Sequence, residues 1–546
     1  MDQKFTAPVI KTEKTPGDTR FARFLLSLGG LGALVWVLIR VIPKPSRLSY
    51  PCIRAASPLA VNFILTLIAF FASLTFFKEL RRFLLSRKRI IITGIVVVAV
   101  GAVLIPVMPR LIAPPHTLTT LADLEGPNKP MGRGVGIHPG RVVWVHEPDA
   151  TNEQYTVDGE KQWFTPEMTN QDAVDAMFSR GLRTLTGTDN DRAAWDALFR
   201  NFNAAQGRDG QGYVKGEKIV IKINLNGLGN GPSNINTSPQ LCRSLLRQLV
   251  RVVGVAQRDI HLGDPNIPPD PDMYGLMLAE FPDVLYWGWG PGFVRPEPTP
   301  QEVLFASDGG NADFLPRSYV EATYMFNLAV FKKHHRAGIS LGAKNHFGSI
   351  TPFNSNGAFN WHYGLPVPDG GADDSNGAYG VYRVLVDFMG HKDLGGKTVL
   401  YIVDGLWGSI NWGHPAVKWR MSPFNNDWPS SLFLSQDPVA VESVCFDFLY
   451  HEFDKDHPTE GQYDPRDNSG PFPHYRGVDD YLHQAADAAC RPLVYDPEKD
   501  GTPLADSLGA HEHWNNAEEK QYSRNLGRDE GIELVVVEDP WQPGKR

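Results

Sequence analysis

The stretch KIVIKINLNGLGNGPSNINTSPQLCRSLLRQLVRVVG (218–254) passes from a β-strand pattern to a helix pattern in one short run. Its opening, KIVIKINL, is rich in Ile and Val, as buried strands are. Further on, Ser238 can cap a helix, Pro239 suits the first helical turn, and apolar residues then recur near the helical period. A strand followed directly by a helix predicts an α/β unit.

The rest of 117–546 repeats this alternation. Further strands are predicted at RVVWVH (141–146), DIHLGD (259–264), YMFNLAVF (324–331), TVLYIVDG (398–405) and IELVVVED (532–539). A second helix is predicted at DPVAVESVCFDFLYHEF (437–453), with Asp437 as its cap. The predicted fold is α/β with a largely parallel or mixed sheet, in which ligands gather at the carboxyl ends of strands.

The N-terminal part has a different composition. Residues 1–116 hold 16 Lys and Arg against 4 Asp and Glu, a charge of +12, whereas the whole chain carries −8, which leaves −20 for the remainder. Three apolar stretches, 24–42, 59–77 and 90–112, each approach the roughly 20 residues that a helix needs to cross a bilayer. They predict a transmembrane anchor of three helices, and buried helices of a soluble domain are the alternative.

Loop charges predict the orientation of this anchor. The loop KELRRFLLSRKR (78–89) has six Lys and Arg, the arm up to Arg23 has five, and the loop KPSRLSYPCIRAAS (44–57) has three. The N-terminus is therefore predicted to be cytoplasmic in a multi-pass protein of the cell (inner) membrane, and the C-terminal domain periplasmic or extracellular. A basic end on an acidic body favours the lipid bilayer as partner over a nucleic acid, because a nucleic-acid-binding domain would itself be basic. No nucleic-acid partner is expected.

The predicted organisation has five parts. They are a cytoplasmic arm (1–20), the anchor (21–114), a linker with the start of the soluble domain (115–210), an α/β core (211–455) and a C-terminal extension packing on the core (456–546). The four cysteines show neither zinc-ribbon nor iron–sulfur spacing, so no iron–sulfur cluster is expected.

Several candidate site residues lie at predicted strand ends. Lys222 and Asn224 are two apart, hence on one face of their strand, and Asp264 and Asp404 end two other strands. A lysine inside an apolar strand must leave its surroundings or find a partner. For the two aspartates, a loop-starting Asx turn is an equal alternative.

The run NLAVFKKHHRAGISLGAKNHFGS (327–349) supplies further candidates. It divides into a strand that ends in Lys332 and His334, a turn of small residues, and a second element that presents Lys344 and Asn345. The small residues allow close backbone packing around the second element. A solvated strand end would also explain Lys332.

These motifs in their order resemble the family named domain of unknown function 362. The shared pattern is K-x-N at 222–224, N-x-x-x-x-K-x-H at 327–334, K-N-x-x-G at 344–348, D-G at 404–405 and D-P-V-A-V-E at 437–442, and the resemblance covers roughly 215–450. Members of the family are often exported and fused to ferredoxin modules, and no general reaction is assigned to them. The chain departs from the family by lacking the ferredoxin cysteines and by having Ala329 and Glu442 where proline and aspartate are usual.

The candidate residues suggest an anion site. Ammonium groups and oriented amides can hold a carboxylate or phosphate, so the predicted binding residues for a small anionic substrate are Lys222, Asn224, Lys332 and Asn345. The predicted catalytic residues are His334, Lys344 and Asp404, with His334 or Asp404 as general base. A non-catalytic, membrane-tethered ligand-binding or assembly module is the alternative to an enzyme.

A divalent metal is the other chemistry considered. Asp264, Asp404 and Asp437 are its predicted ligands, with His334 or His346, although helix capping also explains Asp437. His511 and His513 are two apart, as metal ligands on a strand often are, but the acidic segment nearby favours a helix cap or surface pair. The glycine-rich loop 227–236 is expected at the mouth of the cleft.

Overall fold

The structure of the protein is a computed structural model. It describes residues 126–226, 234–288, 292–303, 313–334, 336–350, 364–366, 379–411, 414–453, 477–538 and 541. All of them belong to the second of the two compact units into which the chain divides, Leu118–Arg546.

A nine-stranded sheet is the centre of this unit. In chain order the strands of the described residues are β1 (Met131–Gly132), β2 (Arg141–His146), β3 (Ile219–Ile223), β4 (Ile260–Gly263), β5 (Leu285–Tyr286), β6 (Pro298–Val303), β7 (Asp313–Pro316), β8 (Tyr324–His334), β9 (Gly338–Ser340), β10 (Thr398–Ser409), β11 (Ser431–Ser435), β12 (Ala510–His511) and β13 (Glu533–Glu538). The order in the main sheet is β13-β2-β11-β10-β8-β3-β4-β5, with β9 paired to β8, while β1 pairs with β12 and β6 with β7.

Most pairings in the main sheet are parallel. Among the described strands of this main sheet, only β11, against β2 and β10, and β9, against β8, are antiparallel. The predicted α/β fold with a mostly parallel or mixed sheet is therefore confirmed. The sequence prediction missed β11, because a short apolar run such as SLFLS does not by itself distinguish strand from helix.

Helices cover both faces of the sheet. The α-helices of the described residues are α1 (Gln171–Thr186), α2 (Asp191–Ala205), α3 (Pro239–Arg247), α4 (Pro271–Leu278), α5 (Arg317–Glu321), α6 (Gly342–Asn345), α7 (Val384–Gly390), α8 (Pro438–Glu452) and α9 (Asp480–Ala486). On one face α1, α2 and α3 share a core with Ile221 and Leu328. On the other face α7, α8 and α9 share a core with Val220 and Met325. Adjacent strand residues point to opposite faces, so both cores are built from the same strands.

The two ends of the described chain meet in this sheet. Strand β13 pairs in parallel with β2, and Arg141 forms an ion pair with Glu533 at 2.7 Å. The predicted start of the soluble domain and the predicted C-terminal extension therefore contribute neighbouring strands to one sheet.

The predicted transmembrane anchor lies outside the described residues. Stretches 24–42, 59–77 and 90–112 all precede residue 126. Among the residues that the structure describes, no helix has the length and apolar character to span a bilayer.

Candidate functional site

Lys222 lies where the parallel strands β3 and β4 end, beside the longer strand β8. It is the penultimate residue of β3, in register with Asn327 on β8 and Gly263 on β4. Its side chain is fully buried. Lys222 Nζ donates to Asp264 Oδ2 at 2.7 Å, to Asn345 Oδ1 at 3.0 Å and to the carbonyl of Ile223 at 2.5 Å. Three acceptors thus use all three protons of the ammonium group.

Asp264 follows β4 and is fixed from several sides. Its Oδ1 accepts from the backbone N–H of Asn266 at 2.9 Å. Asn266 in turn donates from Nδ2 to the carbonyls of Gly348 and Ile350, at 2.9 and 2.7 Å. Gly348 packs directly on the carboxylate: a Cβ atom at this position would lie 2.2 Å from Asp264 Oδ2. The last position of the K-N-x-x-G motif is therefore occupied by glycine for a steric reason: a side chain there would collide with the Asp264 carboxylate.

Burial and charge attraction act in opposite directions on the pKa values of the buried Lys222–Asp264 pair. Burial lowers the pKa of Lys222 and raises the pKa of Asp264, and the attraction between the two charges opposes both shifts. Removing two charges from water is costly, and only good geometry with further hydrogen bonds compensates for it. The additional contacts of Lys222 and Asp264 supply those bonds.

Asn345, at the end of the short helix α6, connects Lys222 to strand β8. Its Oδ1 accepts from Lys222, and its Nδ2 donates to Asn327 Oδ1 at 2.8 Å. Asn327 Nδ2 donates to His346 Nε2 at 3.0 Å, so the imidazole accepts there and its Nδ1–H donates to Ser349 Oγ at 3.0 Å. Burial lowers the pKa of His346 to about 3, which keeps this imidazole neutral.

Lys332, near the end of β8, is the second buried lysine. Its Nζ donates to Asn224 Oδ1 at 2.8 Å and to Asn226 Oδ1 at 2.9 Å. Asn224 Nδ2 reaches Asn345 Oδ1 at 3.5 Å, which links this lysine to the Lys222 network. Burial and the positive charges of Lys344 and Lys222 hold the pKa of Lys332 well below its usual value.

The base of the glycine-rich loop adjoins Lys332. The backbone N–H of Asn226 donates to Asn236 Oδ1 at 2.7 Å, and Asn226 Nδ2 donates to the carbonyl of Ile235 at 2.7 Å. Residues 227–233 between them lie outside the described residues. Asn226 was missed by the sequence prediction, although its spacing of two from Asn224 repeats the spacing of the K-x-N motif.

Lys344 completes a group of three lysines. It is half-buried, and its Nζ lies 3.7 Å from the centroid of the Phe347 ring. Burial, with the charges of Lys222 and Arg336, lowers the pKa of Lys344 to about 7. Among the described residues, no hydrogen-bond acceptor contacts this ammonium group.

The three lysines are not balanced by carboxylates. Asp264 neutralises Lys222, but neither Lys332 nor Lys344 forms an ion pair within the described part of the chain. Two lysine amines without a carboxylate partner are therefore left over in a partly buried cluster lined with amides. Such a cluster favours a bound anion.

Asp404 does not join this cluster. On β10 it pairs with Val330 and shares a face with Ile402 and Leu406, which belong to the core under α3. Its carboxylate accepts from the backbone N–H of Ser238 at 2.7 Å and from that of Leu406 at 3.1 Å. Burial raises the pKa of Asp404. The residue supports the start of α3 from the opposite side of the sheet.

Asp437 and His334 also make local contacts. Asp437 caps α8 through the N–H groups of Val439 and Ala440, at 3.0 and 2.9 Å, and accepts two further N–H groups from Val135 and Ala510. Burial raises its pKa to about 6 against these donors, so it is ionised at neutral pH.

His334 Nδ1 accepts from the N–H groups of Arg336 and Ala337, at 3.1 and 3.2 Å, and so supports the turn before β9. The three aspartates proposed as metal ligands thus do not meet. As the side chains stand, no group of three or more His, Cys, Asp or Glu in the described ranges surrounds a common point as a metal site does.

Glu442 on α8 is a further buried residue behind the site. Its Oε1 accepts from the N–H of Ala343 at 2.5 Å, and Tyr481 donates its hydroxyl proton to Oε2. Burial raises the pKa of Glu442 to about 7. The departure from the usual aspartate therefore places a longer side chain that holds α6 against α8 and α9.

Fold and site together define an α/β protein with a buried Lys/Asn cluster at the carboxyl edge of its sheet. Residues 219–447 match the family model described as Domain of unknown function (DUF362). This part of the chain is therefore a DUF362 domain, as the motifs predict. Neither the curated proteins nor the solved structures contain a significant match.

Proposed function

We propose that the DUF362 domain is an enzyme that acts on a small molecule bearing a carboxylate or phosphate, bound at the lysine cluster. Lys332 and Lys344 hold the anion, and Asn224 and Asn345 orient the cluster. The observation that carries this proposal is the pair of ammonium groups without carboxylate partners in the part of the chain that the structure describes.

Lys344 is the group best suited to move a proton. Its pKa of about 7 leaves both the charged and the neutral amine populated near neutral pH, as general acid–base catalysis requires. Lys222 is committed to Asp264, and Lys332 to Asn224 and Asn226. Of the residues proposed as catalytic, His334 and Asp404 accept hydrogen bonds from backbone N–H groups instead.

A non-catalytic ligand-binding module is the second candidate. It is favoured by the hydrogen bonds that occupy His334 and Asp404. If Lys344 only holds the anion, the site has no general base and binds its ligand without transforming it. The enzyme and the binding module would bind the same anion. They differ in whether the protein converts that anion or releases it unchanged.

The test is calorimetric titration of the full-length chain with sulfate, phosphate and malonate. Lys344→Gln removes one charge-assisted contact, worth about 1.5–3 kcal/mol, and should weaken binding roughly ten- to hundredfold. Lys215→Gln, at an exposed lysine, is the matched control and should bind as wild type does. No binding by wild type, or equal binding by Lys344→Gln, rejects the anion site.

A second measurement separates enzyme from module. Candidate phosphate monoesters and carboxylates that bind are incubated with the protein and followed by NMR. Conversion by wild type that is lost in Lys344→Gln supports the enzyme. Recovery of every bound ligand unchanged supports the module.

We further propose that stretches 24–42, 59–77 and 90–112 anchor the protein in the cell membrane, with the N-terminus cytoplasmic and the DUF362 domain extracytoplasmic. The supporting observation is the charge of the loops, with six Lys and Arg in 78–89 against three in 44–57. A reporter active only after export should be active when fused after Arg546 and inactive within 78–89. The reverse pattern rejects this topology.

A further inference from the structure

Three histidines and an aspartate lie together in the layer formed by α8, α9 and β12. His483 is on α9, His511 ends β12, His513 follows two residues later, and Asp479 precedes α9. His511 is buried in a strand, so the expected helix cap or surface pair is wrong for this residue. All four residues lie beyond the DUF362 match, which ends at residue 447.

Within the part of the chain that the structure describes, three imidazole nitrogens in this group have no hydrogen-bond partner. They are His483 Nδ1, His483 Nε2 and His511 Nε2. His483 is 0% exposed and His511 1%. Each unsatisfied buried polar atom costs about 1–3 kcal/mol, and native proteins rarely leave several in one place without an ion or water.

The Nδ1 atoms of His511 and His513 each contact an oxygen atom of α8. Ser443 Oγ donates to the carbonyl of Val439 at 2.7 Å, so it accepts from His511 Nδ1–H at 2.8 Å. His513 Nδ1 lies 2.6 Å from Asp447 Oδ1. An oxygen on Nδ1 fixes the ring and leaves Nε2 for a ligand, which is how metal-binding histidines are supported.

The spacing of the rings suits one shared ion. The His511 ring centroid lies 4.8 Å from that of His483 and 5.0 Å from that of His513. Two imidazoles bound to one tetrahedral ion at about 2.0–2.1 Å have centroids roughly 5 Å apart. Asp479 Oδ2 lies 3.9 Å from His513 Nε2, on the side away from the Asp447 contact.

We propose that His483, His511, His513 and Asp479 bind a divalent transition-metal ion, with imidazole nitrogens and one carboxylate oxygen as ligands. Imidazole donors favour Zn²⁺, Fe²⁺, Ni²⁺ or Cu²⁺ over Mg²⁺ and Ca²⁺. The four donors do not yet surround a common point in the described structure. Within the described residues no hydrogen bond holds the His483 ring in its present orientation. The proposal requires this ring to rotate so that one of its nitrogens faces the ion.

The experiment is metal analysis of the full-length chain after chelation and dialysis against Zn²⁺. About one Zn²⁺ per chain is expected, with loss in His511→Gln and in His483→Gln. His261→Gln is the control, because that histidine lies in β4 beside the Trp287 ring and should leave the metal content unchanged. Circular dichroism of the metal-free proteins shows whether each variant is folded.

Thermal melting gives an independent readout. Zn²⁺ should raise the melting temperature of wild type and His261→Gln and leave that of both site variants unchanged, because a ligand of the folded state stabilises it by mass action. The proposal is overturned if wild type binds no Zn²⁺, or if folded His511→Gln binds as much Zn²⁺ as wild type does. Water molecules would then be the partners of the unpaired imidazole nitrogens. Sulfate binding tests the lysine cluster separately, so either site can fail alone.

Discussion

Lys222 Nζ and Asp264 Oδ2 lie 2.7 Å apart, in side chains that are 0% and 3% exposed. They come from neighbouring parallel strands and form the innermost contact of the lysine cluster. The cluster therefore rests on one ion pair that has lost almost all contact with water.

Asp264→Asn should be strongly destabilising. It leaves the Lys222 ammonium group buried without its carboxylate, which typically costs about 3–5 kcal/mol of unfolding free energy. Urea denaturation followed by circular dichroism measures the change. The control is Glu321→Gln, which breaks the exposed Lys218–Glu321 pair at 2.8 Å and should cost at most ~1 kcal/mol. Equal effects of the two substitutions would contradict the importance of burial here.

Gly348→Ala should disturb the same ion pair from outside. The added Cβ would lie 2.2 Å from Asp264 Oδ2, so the carboxylate or the loop must move. We expect lower stability and weaker sulfate binding. Gly275→Ala on α4 meets nothing within 4 Å and should raise stability by roughly 0.5–1 kcal/mol. A Gly348→Ala protein with wild-type stability and sulfate affinity would contradict the close packing.

Sulfate affinity should fall as the pH rises above about 7. The reason is that Lys344, whose pKa in the free protein is about 7, loses its proton, while sulfate keeps its charge. Above that pH the decline can reach about tenfold per unit until the pKa of the complex is passed. Lys344→Gln should show a flatter profile than Lys215→Gln in the same titration.

Deprotonation of Lys344 should increase the stability of the fold as the pH rises, whereas it decreases the affinity for sulfate. The unfolded chain binds a proton on Lys344 up to about pH 10.4, whereas the folded chain releases it near pH 7. The contribution of Lys344 to stability therefore rises with pH across this window. Unfolding midpoints of wild type and Lys344→Gln should differ most at low pH and converge at high pH. A constant difference would show that the lysine does not titrate there.

Asp437→Ala should cost more than an ordinary helix cap. The carboxylate accepts four backbone N–H groups, two from α8 and two from Val135 and Ala510. We expect a loss of about 3 kcal/mol or more, since several buried donors lose their acceptor together. Asn190→Ala, at the exposed cap of α2, should cost about 1 kcal/mol in the same urea denaturation. Similar costs would contradict the four-donor role.

The sequence by itself determined the class of fold and the family. Val- and Ile-rich runs bounded by Gly, Pro or charge identify β3, β8 and β10, because side-chain patterning is a local property. Lys222, Asn224 and Lys332 were predicted from their positions at strand ends, and Asn345 from the element after the turn of small residues. The structure brings these four together.

Only the tertiary structure decided which strand-end residues share a site. Asp264 and Asp404 look alike in sequence, but Asp264 meets Lys222 while Asp404 points into the opposite core beneath α3. The reason is that successive side chains of a strand point to opposite faces of the sheet. Which face each aspartate occupies therefore depends on how its strand is aligned with the neighbouring strands, and these pairings join residues that are far apart in the chain. His483 meets His511 and His513 for the same kind of reason: the packing of α9 on β12 places them together, and no local pattern contains it.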